Sequence, residues 1–276
     1  GLMLRLLGRS VIYDVHEDLP RQAVLKPWIP ATLRGVVGTA AGLVEHICAR
    51  SLDGVVAATP RIATRFPPGK VVLVHNYPIV GELAHPGARS YADRDQVVVY
   101  VGTLSTSRGL RQMLEATALL PESLQARFML AGNFHPPLSA AELQEIAHWK
   151  RSQFLGWLSR ESVRQLLARA KVGLATLHPT RSYYDSYPVK LFEYMAAGIP
   201  VVASSFRTWA EIVAGAGCGL LVDPLDPVAI ADAIRWLLEH PVEAEAMGKR
   251  GQEAVHSQYN WASEEGKLRE MYSRLR

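Results

Sequence analysis

The chain has 276 residues, 49% of them hydrophobic and 20% charged, with a formal net charge of +4. That composition supports an ordinary globular core, and the length favours one large or two medium domains. It excludes a membrane-spanning helix, since no run of eighteen apolar residues occurs, and a cysteine-based metal or disulfide framework, since Cys48 and Cys218 lie far apart without ligand spacing.

Two such cysteines read as small buried residues of a reducing compartment, with the cytoplasm as the default. The opening stretch from Gly1 to Arg9 is too short and too charged for a signal peptide. The basic excess is uneven. Residues 1–94 hold 11 Lys/Arg against 7 Asp/Glu, which leaves 19 against 19 in residues 95–276. A solvated basic face accounts for this; an anionic membrane surface or a lipid-phosphate acceptor is the other reading.

In chain order, Val11 to His16 is a strand by its β-branched and aromatic content. Apolar positions at helical period predict a helix from about Pro30 to Arg50. A strand over Gly54 to Ala58, a short helix from Pro60 to Phe66 and a strand from Val71 to His75 follow. This β-α-β-α-β series implies a parallel sheet with right-handed crossovers. Residues 77–94, rich in Pro and Gly, read as a linker.

A second series opens with a strand at Gln96 to Gly102. It continues with helix Leu110 to Leu120, strand Arg127 to Gly132, a helix over 139–150 and strand Gln153 to Gly156. Helix Arg160 to Ala170 and strand Lys171 to Leu177 precede a helix starting near Pro188 and ending at Gly198. Strands at Val201 to Ala203 and Gly219 to Val222, helix Pro227 to His240 and helices around 242–257 and 260–276 complete the chain. Two such series joined by a linker predict an α/β architecture of two Rossmann-like halves facing one cleft. The expected domains are residues 1–92, 93–258 and a terminal helix over 259–276 that packs back on the first domain.

The most informative segment runs from Asp185 to Ser204. Pro188 suits a first helical turn, and Leu191, Phe192 and Met195 give that helix an apolar face. Lys190 and Glu193, three apart, share one side. Gly198 stops the helix, Pro200 follows, and the chain enters a buried-type strand. Helix N-termini at the rim of a parallel sheet are where ligands bind. The same Lys–Glu pair is also what an ordinary surface helix carries.

With Asp185 and Glu193 placed between two such halves, the chain resembles the retaining GT-B glycosyltransferases of family 4. The resemblance rests on Pro188-Val-Lys-Leu-Phe-Glu-Tyr194, the tail from Met195 to Val202, Tyr13 to Asp18, Tyr100 to Gly102 with Arg108 to Leu110, and Asn260-Trp261. Residues 188–194 match a subgroup that assembles bacterial polysaccharides. Asp185 stands where the family usually has Glu. The amino-terminal domain of such an enzyme opens with a Gly-rich loop that does not occur before Val11. At ~30 residues per βα unit, roughly 90 residues are expected to be missing, so the first domain is expected to be incomplete.

The resemblance implies a set of roles. Gly102, Thr103, Arg108 and Gly109 would form a diphosphate loop at a helix N-terminus, with Thr103 where the family has Arg and Lys190 sharing the load. Glu193, next to Leu191 on its helix, would take both ribose hydroxyls, and Asp185 would sit near the donor sugar. Leu155 and Gly156 would meet the nucleobase through their backbone. His16 would act at the transferring sugar. Each also has a plain structural reading: a capped helix start for Arg108, a loop Asx-turn for Asp185, a core strand for Leu155 and Gly156, a hydrogen-bonded structural histidine for His16.

The expected activity is transfer of a sugar, with retention, from a nucleoside diphosphate sugar to a glycan or lipid-linked acceptor in bacterial envelope or exopolysaccharide assembly. No cofactor and no metal are expected, because cations and helix dipoles hold the diphosphate. No nucleic acid partner is expected; peripheral contact of the basic first domain with the inner face of the cytoplasmic membrane is the alternative to a solvated basic face. A GT-B sugar-nucleotide 2-epimerase, or a donor-binding fragment without activity of its own, are the alternatives.

Overall fold

The computed structural model describes residues 1–26, 28–83, 90–135 and 152–275, which divide into two units, Gly1–Tyr77 with Trp261–Arg276, and Pro78–Asn260. The expected helix over 139–150 lies outside the described residues.

The first unit carries helix α1 (Leu2–Leu6), strand β1 (Ile12–Val15), helices α2 (Leu19–Leu25) and α3 (Arg34–Ser51), strand β2 (Gly54–Ala57), helix α4 (Pro60–Ala63) and strand β3 (Val71–Leu73). Its three strands pair in parallel in the order β1-β2-β3. Strand alternation splits the apolar residues between two faces. Val15, Val55 and Ala57 pack with Ala49, Ile62 and Phe66. Val56 and Val74 pack with Met271 from the last helix of the chain. The sequence reading did not anticipate α1 or α2. The start of α2 is nonetheless marked, since an Asp18 carboxylate oxygen accepts the Arg21 N–H and Pro20 lies in the first turn.

The second unit contains β4 (Val97–Val101), α5 (Leu110–Ala118), β5 (Arg127–Ala131), β6 (Ser152–Phe154), α6 (Arg160–Arg169) and β7 (Val172–Ala175). It continues with α7 (Val189–Ala196), β8 (Val201–Ser204), α8 (Arg207–Ala216), β9 (Gly219–Val222), α9 (Pro227–Glu239) and α10 (Pro241–Ser257). Six parallel strands lie in the order β6-β5-β4-β7-β8-β9. The direction of winding reverses between β4 and β7, which opens a crevice beyond their carboxyl ends. Val97 to Tyr100 are fully buried, as a strand covered on both faces requires. Helix α8 was not expected either, although Trp209, Ile212 and Val213 carry helical spacing and Gly217 ends it at φ +59°.

The units divide after Tyr77, where the expected linker begins, and the described linker residues belong to the second unit. Leu83 and Tyr91 are the reason. Both are buried, Tyr91 in the core of the second unit, where its hydroxyl donates to the Lys171 carbonyl at 2.9 Å. Isolated apolar residues in a Pro- and Gly-rich stretch give no periodicity, so this anchoring was not visible beforehand. After Asn260 the chain rejoins the first unit as helix α11 (Trp261–Ser273). The buried Glu264 carboxylate there accepts the His75 N–H at 2.9 Å.

Helix α7 is fastened to the sheet by Tyr194, which is fully buried. Its hydroxyl accepts the Val101 N–H at 3.0 Å, and its ring lies where a Cβ on Gly173 would come within 2.6 Å. Tyr194→Phe is expected to leave that buried N–H without its partner at a cost of about 1–3 kcal/mol. Chemical denaturation measures this; an unchanged midpoint would rule the anchor out.

Candidate functional site

The site develops where β4 ends. Gly102, the first residue past the strand, has φ +136°, a backbone that L side chains rarely adopt. A Cβ there would also stand 3.0 Å from Lys190 Nζ. Thr103 follows, its carbonyl accepting the Tyr100 hydroxyl at 2.8 Å. A short 3-10 turn, Thr106–Arg108, then leads into α5 through Gly109. Gly109 has φ +78°, and a Cβ would meet the Thr176 carbonyl oxygen at 2.1 Å. Only glycine lets this loop lie against the chain leaving β7.

Lys190 approaches the same loop from α7. It is 6% exposed, and its Nζ sits 3.5 Å from the Tyr100 ring centroid. Among the described residues this ammonium has no hydrogen-bond partner. Burial drives its pKa well below the usual 10.5, the Arg108 charge lowers it further, and Glu193 raises it in part. A buried cation repelled by a second one is costly unless an anion completes the site. Arg108 lies over the Tyr183 ring at 5.8 Å. With Thr103, Asn133, His135 and Tyr183 it lines a cavity of about 660 Å³.

A second cavity of about 350 Å³ opens beside Gly102, lined also by Gly132, Trp157, Leu158 and Val163. The expected base contacts, Leu155 and Gly156, stand just before it. The Leu155 N–H donates to Leu130 at 2.9 Å, and the Gly156 carbonyl accepts from Gly132 at 2.8 Å. Those groups extend the sheet, and Trp157 and Leu158, which follow directly, line the cavity beyond the strand end. Trp157 is 72% exposed, an unusual state for an indole beside a cavity.

Gly102, Thr103, Arg108, Gly109, Lys190 and Glu193 thus come together around the ends of β4 and α7. Glu193 accepts a hydrogen bond from Arg160, at the start of α6. Leu191, fully buried, belongs to the apolar face of α7. Asp185 is half-buried in the turn before that helix, two residues past Tyr183. His16 belongs to the first unit, with its Nε2 3.1 Å from an Asp14 oxygen and its Nδ1 3.2 Å from the Asn76 amide nitrogen. Sequence reasoning gave no role to Tyr100, Tyr183, Trp157 or Arg160. Tyr100 opens one of the segments that carry the resemblance, and Arg160 is a cation at a helix start, a common feature.

No helix among the described residues is long and apolar enough to cross a membrane. Cys218 is buried, which pushes its thiol up to about 11, and Cys48 is a free thiol.

A model of the family "Glycosyl transferases group 1" matches residues 95–240. O-antigen chain mannosyltransferase B of Escherichia coli is 28% identical over 169 residues, which are 59% of this chain and 42% of that protein. Alpha-maltose-1-phosphate synthase of Mycolicibacterium smegmatis is 26% identical over 96% of this chain and 75% of its own length. Anabaena Alr3699/HepE, solved in complex with UDP, superposes with a TM-score of 0.74 at 17% identity, over 99% of this chain and 74% of that one. The match to the first of these relatives thus spans about two fifths of its length. The fold is GT-B, and because the family model covers more than half of the chain, the protein belongs to the glycosyl transferases of group 1.

Proposed function

We propose that the second unit binds the nucleoside diphosphate of an activated sugar and that the protein transfers this sugar, with retention, to a glycan or lipid-linked acceptor. The observation that carries the reading is the buried ammonium of Lys190 beside Gly102, which has no hydrogen-bond partner among the described residues. A diphosphate supplies the counter-charge that this cation lacks. Arg108 adds a second cation, and the start of α5 at Leu110 adds backbone N–H groups. Glu193 takes the ribose hydroxyls, the backbone of Leu155 and Gly156 meets the base beside the cavity that Trp157 lines, and Asp185 stands for the sugar hydroxyls. The part the resemblance gives to His16 stays with this proposal.

In the reaction, the bond from the anomeric carbon to the diphosphate oxygen breaks and the electron pair leaves with the diphosphate. Lys190 and Arg108 stabilise the charge that develops there. The acceptor oxygen bonds to the anomeric carbon from the same face, and its proton passes to the departing phosphate oxygen. These cations and dipoles balance the diphosphate, so the reading includes no metal and no cofactor. O-antigen assembly, named for the Escherichia coli relative, supports placing the product in the bacterial envelope or an extracellular polysaccharide. The reading includes a cytoplasmic location, with contact at the inner face of the membrane as its further part.

Lys190→Met is expected to weaken UDP or GDP binding at least ~10-fold in calorimetry, the size of one charged hydrogen bond, while leaving binding of the bare nucleoside unchanged. Equal losses for both would reject the phosphate role. The same variant is expected to gain stability, on the order of 1–3 kcal/mol, because it removes a buried charge that Glu193 offsets only in part. The folded chain releases the Lys190 proton below the 10.5 of the unfolded chain, so raising the pH through that interval stabilises the fold. Lys190→Met should flatten this rise, and an unaltered pH profile of the melting temperature would count against it.

Membrane contact has its own check. Helix α1 exposes Met3, Leu4 and Leu6 beside Arg5. Sedimentation with phosphatidylglycerol vesicles is expected at low salt and is expected to fall as salt rises. No sedimentation at low salt would remove that part of the reading.

A further inference from the structure

Glu193 is not an isolated carboxylate. Its Oε1 accepts from Nη1 of Arg160, and its Oε2 has no partner among the described residues. The other edge of the same guanidinium is gripped by Glu82. Nε donates to Glu82 Oε1 at 2.8 Å and Nη2 to Oε2 at 2.9 Å, across 78 residues of sequence. Glu82 is itself held in place. Its N–H donates to the Ile79 carbonyl at 3.2 Å, and the next side chain, Leu83, is buried. The Arg160 guanidinium beside Glu82 holds that carboxyl below its usual range.

Geometry gives this arrangement its meaning. A guanidinium is planar and presents five N–H donors in a rigid fork, so a carboxylate bound to one edge fixes its plane. A glutamate carboxylate, by contrast, turns broadly about its last torsion. With one oxygen tied to a fixed fork, the Glu193 carboxylate has a defined plane. About three of its four lone-pair sites stay open, enough for two hydroxyl donors. As an isolated surface ion pair, Arg160–Glu193 would contribute little to stability. Glu193, however, is 13% exposed, and it faces a site where orientation counts more than strength.

We propose that Arg160, braced by Glu82, is a positioning residue that sets the plane of the Glu193 carboxylate for the two hydroxyls of the donor's ribose. The proposal rests on the ribose reading of Glu193 and adds the means of its selectivity. A site whose acceptors are fixed in place rejects an analogue that lacks one hydroxyl, because an acceptor is then left unpaired. The Glu82–Arg160–Glu193 chain therefore separates ribose from 2′-deoxyribose.

The test compares UDP, GDP and ADP with their 2′-deoxy counterparts by calorimetry on the whole chain, and takes the ratio of affinities for the base that binds best. The native chain is expected to prefer the ribose form by roughly tenfold or more. Arg160→Ala should bring the ratio to within about threefold of unity, close to the value of Glu193→Ala, and Glu82→Gln should give an intermediate ratio. Arg160→Lys keeps the charge but not the fork. It should also lose selectivity, and it serves if the alanine variant does not fold. A general loss of structure would lower both affinities and leave their ratio intact. If Glu193→Ala abolishes the preference while Arg160→Ala and Arg160→Lys retain it, the positioning role is overturned and the ribose reading survives. If the native chain shows no preference, or Glu193→Ala keeps it, the ribose reading itself falls. If none of the three nucleotides binds, the donor reading falls with it.

Discussion

The second unit's candidate site depends on how helix α7 is fastened to the end of β4. Tyr194 makes the joint. Its hydroxyl takes the Val101 N–H, and its ring fills the space left by Gly173 on the neighbouring strand. One turn earlier on the helix, Lys190 lies over Tyr100, the residue preceding Val101. The helix thus grips the strand end at two successive turns, with Glu193 between them. Since the i and i+4 positions of a helix share a face, holding Tyr194 also aims Lys190. The loop from Gly102 to Gly109 is set against the same joint, because Gly102 makes room for the ammonium and Gly109 for the Thr176 carbonyl.

This construction trades stability for charge. Among the described residues Lys190 is buried without a hydrogen bond, against the rule that buried cations are paired. Folding around it is tolerable because the surroundings are strongly consistent elsewhere. Four successive residues of β4 are fully buried, as are Leu174, Val202 and Ile234 in the core behind them. A site that pre-forms its cation leaves the ligand with less reorganisation to drive. Arg160 follows the same logic with a different solution. It is partly exposed and tied by both acidic neighbours, and it organises a carboxylate that would otherwise turn freely.

The sheet's topology explains why these groups collect in one place. In a doubly wound sheet, the chains leaving adjacent central strands depart in opposite directions. Here the strands are β4 and β7, and the loop after each contributes to the same crevice. Membership of the glycosyl transferases of group 1 fits this placement, since the family match begins at residue 95, just before β4, and runs to residue 240, just past the end of α9.

Much of this was legible in the amino-acid sequence. Periodicity and punctuation located β4, β5, β7, β8 and the helix carrying Lys190 and Glu193, because each is a continuous apolar run or a clear helical stripe bounded by Gly or Pro. Spacing alone put Lys190 and Glu193 on one side of a helix. Other parts were hidden for physical reasons. Helix α2 and the anchoring of Leu83 and Tyr91 involve few apolar residues, whose partners are remote in sequence. Leu155 and Gly156 were recognisable as a strand end, whereas the placing of Trp157 and Leu158 along the cavity beyond it depends on the packed fold. The burial of Lys190, its lack of a hydrogen bond among the described residues, and the Arg160 fork joining Glu82 to Glu193 were decided by tertiary structure. Local sequence determines which face of a helix a residue occupies; only the packed fold determines what that face meets and how much water is left there.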